Sequence, residues 1–175
     1  NVIYIDDQKK MLVSRQIKKT IYRNKIYNLK KRFVSKKFSR KRIINYLLEE
    51  KDKNYIISLP HGEIIKNKRL LKNKNLIHFH PGQLPLFRGA TSIYYSLLRK
   101  KEICCSAIIM SLSIDGGNVL FCKKFSFPKK AKYIDKKYDI EIRKICLEYL
   151  VKNFEQLKPT PQKKINKLHY YLAHP

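Results

Sequence analysis

Acidic residues and glycine are the scarce components of this chain. Against 40 Lys and Arg stand 13 Asp and Glu, for a formal net charge of +27. Such a surplus attracts phosphate and makes the attraction depend on salt. Yet lysine is scattered along nearly the whole chain among Ile, Asn and Tyr, a pattern that biased nucleotide composition produces as readily as selection for RNA binding. Glycine numbers five, with none before Gly62, so no glycine-rich phosphate loop can be built ahead of that point. The four cysteines, Cys104, Cys105, Cys122 and Cys146, form no Cys-x-x-Cys pair, which argues against zinc ligation. No run of about 20 apolar residues exists, so no membrane-spanning helix is expected. The chain opens on Asn1 rather than Met, so the native start is expected to be missing and a leader cannot be judged.

What is present reads as βα alternation. At 175 residues the chain is long enough for one α/β domain with a single core, spanning residues 1–175. Val2 to Ile5 reads as a first strand and residues 8 to 22 as a basic helix. Ser39 is the expected N-cap of a helix whose apolar face carries Ile43, Ile44, Leu47 and Leu48. Tyr55 to Leu59 reads as a buried strand turned by Pro60-His61-Gly62. Leu70-Leu71 should sit on a short helix before a strand from Leu76 to His80. Thr91 or Ser92 should cap a helix carrying Ile93, Tyr94, Leu97 and Leu98. A buried strand is read over Ile108 to Met110, after Cys104 to Ala107, and another from Val119 to Phe121. Lys129 to Lys137 reads as a loop. Ile140 to Leu157 gives the clearest helix, with Ile142, Ile145, Cys146, Tyr149, Leu150 and Phe154 on one face and Pro159-Thr160-Pro161 ending it. Adjacent Cys104 and Cys105 are expected to be packed thiols of a reducing compartment, the cytoplasm. The densest charge cluster runs from Lys30-Lys31-Arg32 to Arg40-Lys41-Arg42, interleaved with Phe33 and Phe38 and close to Tyr27. Those rings could stack bases, but a solvated face with the aromatics turned inward is slightly preferred.

The chemistry concentrates in His78-Phe79-His80-Pro81-Gly82-Gln83-Leu84-Pro85-Leu86-Phe87-Arg88-Gly89-Ala90-Thr91. Strand side chains alternate with period two, so His78 and His80 share a face. Pro81 and Gly82 should stop the strand, presenting both imidazoles at its C-terminal end. In open α/β sheets ligands bind at that end. Ser113-Ile114-Asp115-Gly116-Gly117 reads as a loop whose double glycine lets backbone approach a ligand closely. An isolated Asp-Gly is usually just a turn. Beside a His-x-His-Pro strand end, His plus Asp makes a proton-handling pair.

These linked motifs resemble the formyltransferase family, which includes methionyl-tRNA, glycinamide ribonucleotide and amino-sugar formyltransferases. The matches are His80-Pro81, Leu84-Pro85, Phe87-Arg88-Gly89 and Asp115-x-Gly117, and the resemblance covers about residues 40 to 127. It departs where the family's Asn is replaced by His78. The resemblance implies a Rossmann-like α/β fold, with a mostly parallel sheet and helices on both faces. It implies transfer of a formyl group from 10-formyltetrahydrofolate to a primary amine, with no metal. The amine would belong to an aminoacyl-tRNA, as in methionyl-tRNA formyltransferases, or to a nucleotide-linked amino sugar. Catalysis would rest on His80, Asp115 and His78. The folate would be held by His61, Gly62, Ile64, Ile65, Ile114, Gly116 and Gly117, and the acceptor by Gly82, Arg88 and Gly89. No segment is seen for the C-terminal barrel that methionyl-tRNA formyltransferases add.

Such a transfer passes through an oxyanion-bearing intermediate that needs preorganised donors, each worth about 3 kcal/mol when lost. His80 as imidazolium is one expected donor, and His78 could replace the family's Asn, although neutral His offers one N–H against two. Asp115 should raise the pKa of a nearby His and accept the amine proton through water. Two other readings stand beside the enzyme: a degenerate homologue that binds folate or a nucleotide sugar without turnover, and a basic RNA-binding module on the same scaffold. Retention of His80 and Asp115 favours the enzyme.

Overall fold

The computed structural model describes residues 2–5, 31–34, 40–58, 65–127, 136–163 and 169–170. The expected basic helix over 8–22, the Ser39 cap, the turn at Pro60-His61-Gly62 and the segment 129–135 lie outside the described residues, as does most of the basic cluster before Arg40.

The fold is α/β, and its chain divides into two compact units, Asn1–His78 and Phe79–Pro175. In the first unit, strands β1 (Val2–Ile5), β2 (Lys31–Val34), β3 (Asn54–Ser58) and β4 (Asn75–His80) run in the order β2-β1-β3-β4. Each neighbouring pair is parallel, in register Val2 with Lys31, Val2 with Ile56, and Asn54 with Asn75. Parallel strands need crossover connections, and helices α1 (Arg40–Glu49) and α2 (Lys68–Asn73) lie in two of them. Leu47, Tyr55, Ile57, Ile65, Leu70, Leu76 and Ile77 make the buried apolar set. Asn67 begins α2 by accepting the Leu70 amide at 2.8 Å, a side-chain cap that periodicity alone does not reveal. Lys74, at only 6% exposure, survives burial because its ammonium donates to the carbonyls of Glu50 and Asp52.

The end of β4 carries the chain into the second unit. There follow β5 (Arg88–Gly89), α3 (Ser92–Lys100), β6 (Ile103–Ile109), β7 (Val119–Phe125), α4 (Lys136–Asn153), a short 3-10 turn over Phe154–Gln156, and β8 (His169–Tyr170). β6 and β7 pair antiparallel, with a register irregularity between Ala107 and Ile108, and β5 pairs parallel with β8. β6 is buried along its length apart from half-buried Ile109, and it starts at Ile103, well before the expected Ile108. Cys104 and Cys105 are buried, as read from the sequence.

The faces of two helices differ from what periodicity alone suggests, and for α4 the expected face is corrected in part. On α3 the buried residues are Ser92, Ile93 and Ser96, while Tyr94 is exposed and Leu98 is 78% exposed. Serine hydroxyls can be buried here because Ser92 donates to the Pro81 carbonyl and Ser96 to that of Glu102. On α4 the buried set is Ile140, Ile142, Cys146, Leu147 and Leu150, with Ile145 half-buried and Tyr149 exposed. Tyr149 instead meets the Phe121 ring edge-on at 4.9 Å, with the Lys123 ammonium 5.0 Å from its centroid. Thr91 precedes α3 in a left-handed conformation, φ 51°, and makes no side-chain cap. No described helix is long and apolar enough to cross a membrane.

Candidate functional site

The site is assembled where β4 stops. His80 is its last residue, and the chain turns back at once, with the Gly82 amide donating to the His80 carbonyl at 2.9 Å. Gly82 lies flush against the imidazole: a Cβ there would sit 2.9 Å from His80 Nε2 and 3.0 Å from the Phe87 carbonyl oxygen. The glycine is therefore required by packing beneath the ring. Ser106 on β6 fixes the same turn, donating to the Gly82 carbonyl at 2.7 Å and accepting the Leu84 amide at 3.2 Å. The Leu84–Pro85 peptide is cis.

His80 has two engaged nitrogens. Nε2 lies 2.6 Å from the Phe87 carbonyl oxygen, and Nδ1 lies 3.5 Å from Asp115 Oδ2, with the side chains 4% and 15% exposed. A carbonyl and a carboxylate both only accept, so each nitrogen faces an acceptor; in the tautomer that carries its proton on Nε2, Nδ1 is the basic atom beside Asp115. Burial pushes the imidazole below its ordinary pKa of 6.5. Asp115 and the Phe87 carbonyl pull it back up, Arg143 lowers it and Asp139 raises it, but burial prevails. Burial thus favours the neutral ring, while each of its nitrogens faces an acceptor, the Phe87 carbonyl on one side and the Asp115 carboxylate on the other.

Asp115 is held from two sides. Its Oδ2 accepts the Gly89 amide at 2.8 Å, which ties the Asp115 loop to β5. Its backbone has φ 48°, a region that non-glycine residues rarely occupy. Next to it Gly117 has no room for any side chain, since a Cβ would lie 1.7 Å from the Ile109 carbonyl oxygen. Gly116 is confined in the same way by Ser113. The double glycine thus serves close packing within the loop. Ile114, beside Asp115, is 45% exposed.

The remaining expected site residues fall as follows. Arg88 directs Nε and Nη2 to Gln162 Oε1, at 3.2 and 2.7 Å. Gly89 adopts φ 95°, where glycine alone is at ease. His78 belongs to the first unit and is half-buried, and Ile65, also of that unit, is buried. His61, Gly62 and Ile64 lie outside the described residues. No cluster of metal-ligating side chains occurs among the described residues. Two participants escaped sequence reading. Gln162 donates to the carbonyls of Asp115 and Gly117 at 2.7 and 2.6 Å. Arg143 of α4 donates to the Phe79 carbonyl and pairs with Asp139 at 2.9 Å. Neither had a motif to betray it.

No protein-family profile matches the chain. A methionyl-tRNA formyltransferase from Finegoldia magna is 35% identical over 80 residues, 45% of this chain and 26% of that protein. One from Orientia tsutsugamushi is 33% identical over 89 residues, 49% of this chain and 29% of that protein. The matched segment thus spans less than a third of each relative's length. Among solved structures, a methionyl-tRNA formyltransferase from Clostridium thermocellum superposes on 99% of this chain and 72% of its own, with TM-score 0.67 and 17% identity. A sugar N-formyltransferase from a Shewanella species superposes with TM-score 0.63 and 17% identity, covering 97% of this chain and 75% of its own. HypX from Aquifex aeolicus in complex with tetrahydrofolic acid gives TM-score 0.62 and 16% identity, over 97% of this chain and 29% of its own. At such identities these structures establish the fold.

Proposed function

We propose, for a chain whose sequence and fold belong to the formyltransferase family, that it transfers a formyl group from 10-formyltetrahydrofolate to a primary amine, in the manner of methionyl-tRNA formyltransferases. One observation carries the reading: Nδ1 of the buried His80 faces Asp115 Oδ2 at 3.5 Å. A primary amine must shed a proton as it becomes an amide, and this pair can receive it. Nδ1 accepts the proton, and Asp115 stabilises the resulting imidazolium. Phe87 and Gly89 hold the two partners in place through 2.6 and 2.8 Å hydrogen bonds. His78, standing where the family has Asn, is assigned the oxyanion-donor role.

The half-exposed Ile114 side chain next to Asp115 gives a flat pterin ring an apolar surface. The donor supplies the formyl carbon when bound. Ile114, Gly116 and Gly117 are assigned to hold it, together with His61, Gly62, Ile64 and Ile65. Arg88, Gly89 and Gly82 are assigned to the acceptor side. The aminoacyl-tRNA acceptor is favoured by the curated relatives, each named methionyl-tRNA formyltransferase. The nucleotide-linked amino sugar remains the second reading, favoured by a sugar N-formyltransferase of similar fold. The proposed place of work is the cytoplasm.

The test presents 10-formyltetrahydrofolate with methionyl-tRNA and with amino-sugar nucleotides separately, using the chain and its Asp115→Asn and His78→Asn variants. Formylation of one amine, lost in Asp115→Asn, is the expected result. Transfer gained only in His78→Asn would mark a degenerate site. No transfer by any of the three would overturn the reading.

A further inference from the structure

We propose that Gln162 is a positioning residue for the proton-accepting pair, holding the Asp115 carboxylate against His80. The inference rests on the reading of that pair as catalytic. Its geometric basis lies in four contacts made by one carboxamide. Gln162 Oε1 accepts from Arg88 Nε and Nη2, at 3.2 and 2.7 Å, while its Nε2 donates to the carbonyls of Asp115 and Gly117, at 2.7 and 2.6 Å. Only a side chain with both an acceptor and two donors can do this: Glu lacks the donors and Arg or Lys the acceptor.

The arrangement closes a ring of contacts around Asp115. From Gln162 it runs to Arg88, whose neighbour Gly89 donates its amide to Asp115 Oδ2 at 2.8 Å. It returns from the Asp115 carbonyl to Gln162. Asp115 is thereby gripped at both its side chain and its main chain. The grip matters because φ 48° is a conformation that few non-glycine residues adopt, one that its surroundings must hold. Gln162 itself is fixed from behind. Val119 and Thr160 exchange two backbone hydrogen bonds of 2.9 Å, anchoring the segment after α4 to the start of β7. The carboxylate's position sets the environment of His80, which also faces the Phe87 carbonyl, Arg143 and Asp139.

The experiment compares Gln162→Met, Gln162→Glu and Thr160→Ala in the full chain. Gln162→Met removes all four contacts at similar length. Gln162→Glu keeps the acceptor for Arg88 and loses both donors, and Thr160→Ala perturbs the same segment without touching the clamp. The His80 titration is followed by NMR without substrate, and kcat and KM are measured for formyl transfer. In Gln162→Met the His80 midpoint should move down, in the direction of Asp115→Asn, because the carboxylate that raises it has drifted away. In Gln162→Glu kcat should fall about 10- to 100-fold, as expected for misplaced catalytic groups, with KM close to that of the parent. Thr160→Ala should change neither. An unaltered His80 midpoint in a folded Gln162→Met, or an equal kcat loss in Thr160→Ala, overturns the proposal. A parent chain without transfer activity overturns the enzymatic reading instead, and the His80 midpoint then decides the clamp alone. Should Gln162→Met not fold, an unchanged kcat in Gln162→Glu overturns the proposal.

Discussion

A neutral imidazole can accept a proton and an imidazolium cannot, and burial moves the His80 pKa below its ordinary 6.5, toward the neutral form. The sign of its pH dependence follows. The base must be unprotonated to work, and its pKa lies below 6.5, so transfer should hold its plateau down through pH 6.5 and fall only beneath it. Asp115 raises that pKa, so Asp115→Asn should move the acid limb further down while cutting kcat by roughly 10²- to 10⁴-fold. A pH–rate profile checks both; an acid limb centred above 6.5 in the parent would sink the assignment. Gly82→Ala tests the ring's seat. Its Cβ would press on His80 Nε2 and on the Phe87 carbonyl at 2.9 and 3.0 Å, so the imidazole must shift. Transfer should drop about 10- to 100-fold, measured beside a circular-dichroism spectrum that stays native. At this scale the sequence was most legible. His80 and Asp115 stood on linked motifs, and their apposition is there in the structure. Gln162 was invisible because Pro159-Thr160-Pro161 read only as the end of a helix, and its contacts with Asp115 and Arg88 bridge 47 and 74 positions.

Elements position the pair through backbone carbonyls more than through apolar contact. Ser92 of α3 holds the Pro81 carbonyl, Ser106 of β6 holds that of Gly82, and Arg143 of α4 holds that of Phe79. Three elements thus grip the carbonyls of Phe79, Pro81 and Gly82, which flank His80 on both sides. Ser106→Ala would leave the buried Leu84 amide without its acceptor at a cost of about 1–3 kcal/mol. A lowered melting temperature with a loosened Gly82–Leu84 turn is expected, the latter read as faster amide exchange at Leu84. Arg143→Met carries the opposite electrostatic signature to Asp115→Asn. Removing the guanidinium deletes a contribution that lowers the His80 pKa, so the NMR midpoint should rise. A fall would show that Arg143 does not face the ring as described. Hydrophobic periodicity located α3 and α4 and placed Ile142, Cys146 and Leu150 on the buried face of α4, but it did not show all that is buried on either helix, for a physical reason. It scores serine as polar, yet Ser92 and Ser96 are buried because carbonyls accept their hydroxyls. It scores Tyr149 as core, yet the ring makes its contacts at the rim with Phe121 and Lys123.

For the whole molecule, the α/β class and parallel strands were legible from βα alternation, whereas the acceptor amine was not, because the linked motifs are common to formyltransferases of either acceptor and charge alone names no substrate. A net charge of +27 favours a polyanionic acceptor in general terms without naming a surface for it. Salt separates the two acceptors. Binding that neutralises Z phosphates of a duplex weakens with a logarithmic slope of about −0.9Z, so three phosphate contacts lose about 40-fold over a fourfold rise in salt. An acceptor with one or two phosphates loses only about 4- to 12-fold on the same arithmetic. If an aminoacyl-tRNA is the substrate, its KM should rise at least about 40-fold between ~50 and ~200 mM salt, with kcat nearly constant because the buried His80–Asp115 pair is little screened. A KM for methionyl-tRNA that barely responds to salt would mean that the lysines do not meet the acceptor. The charge would then be a property of the surface rather than of the reaction, and the amino-sugar acceptor would gain.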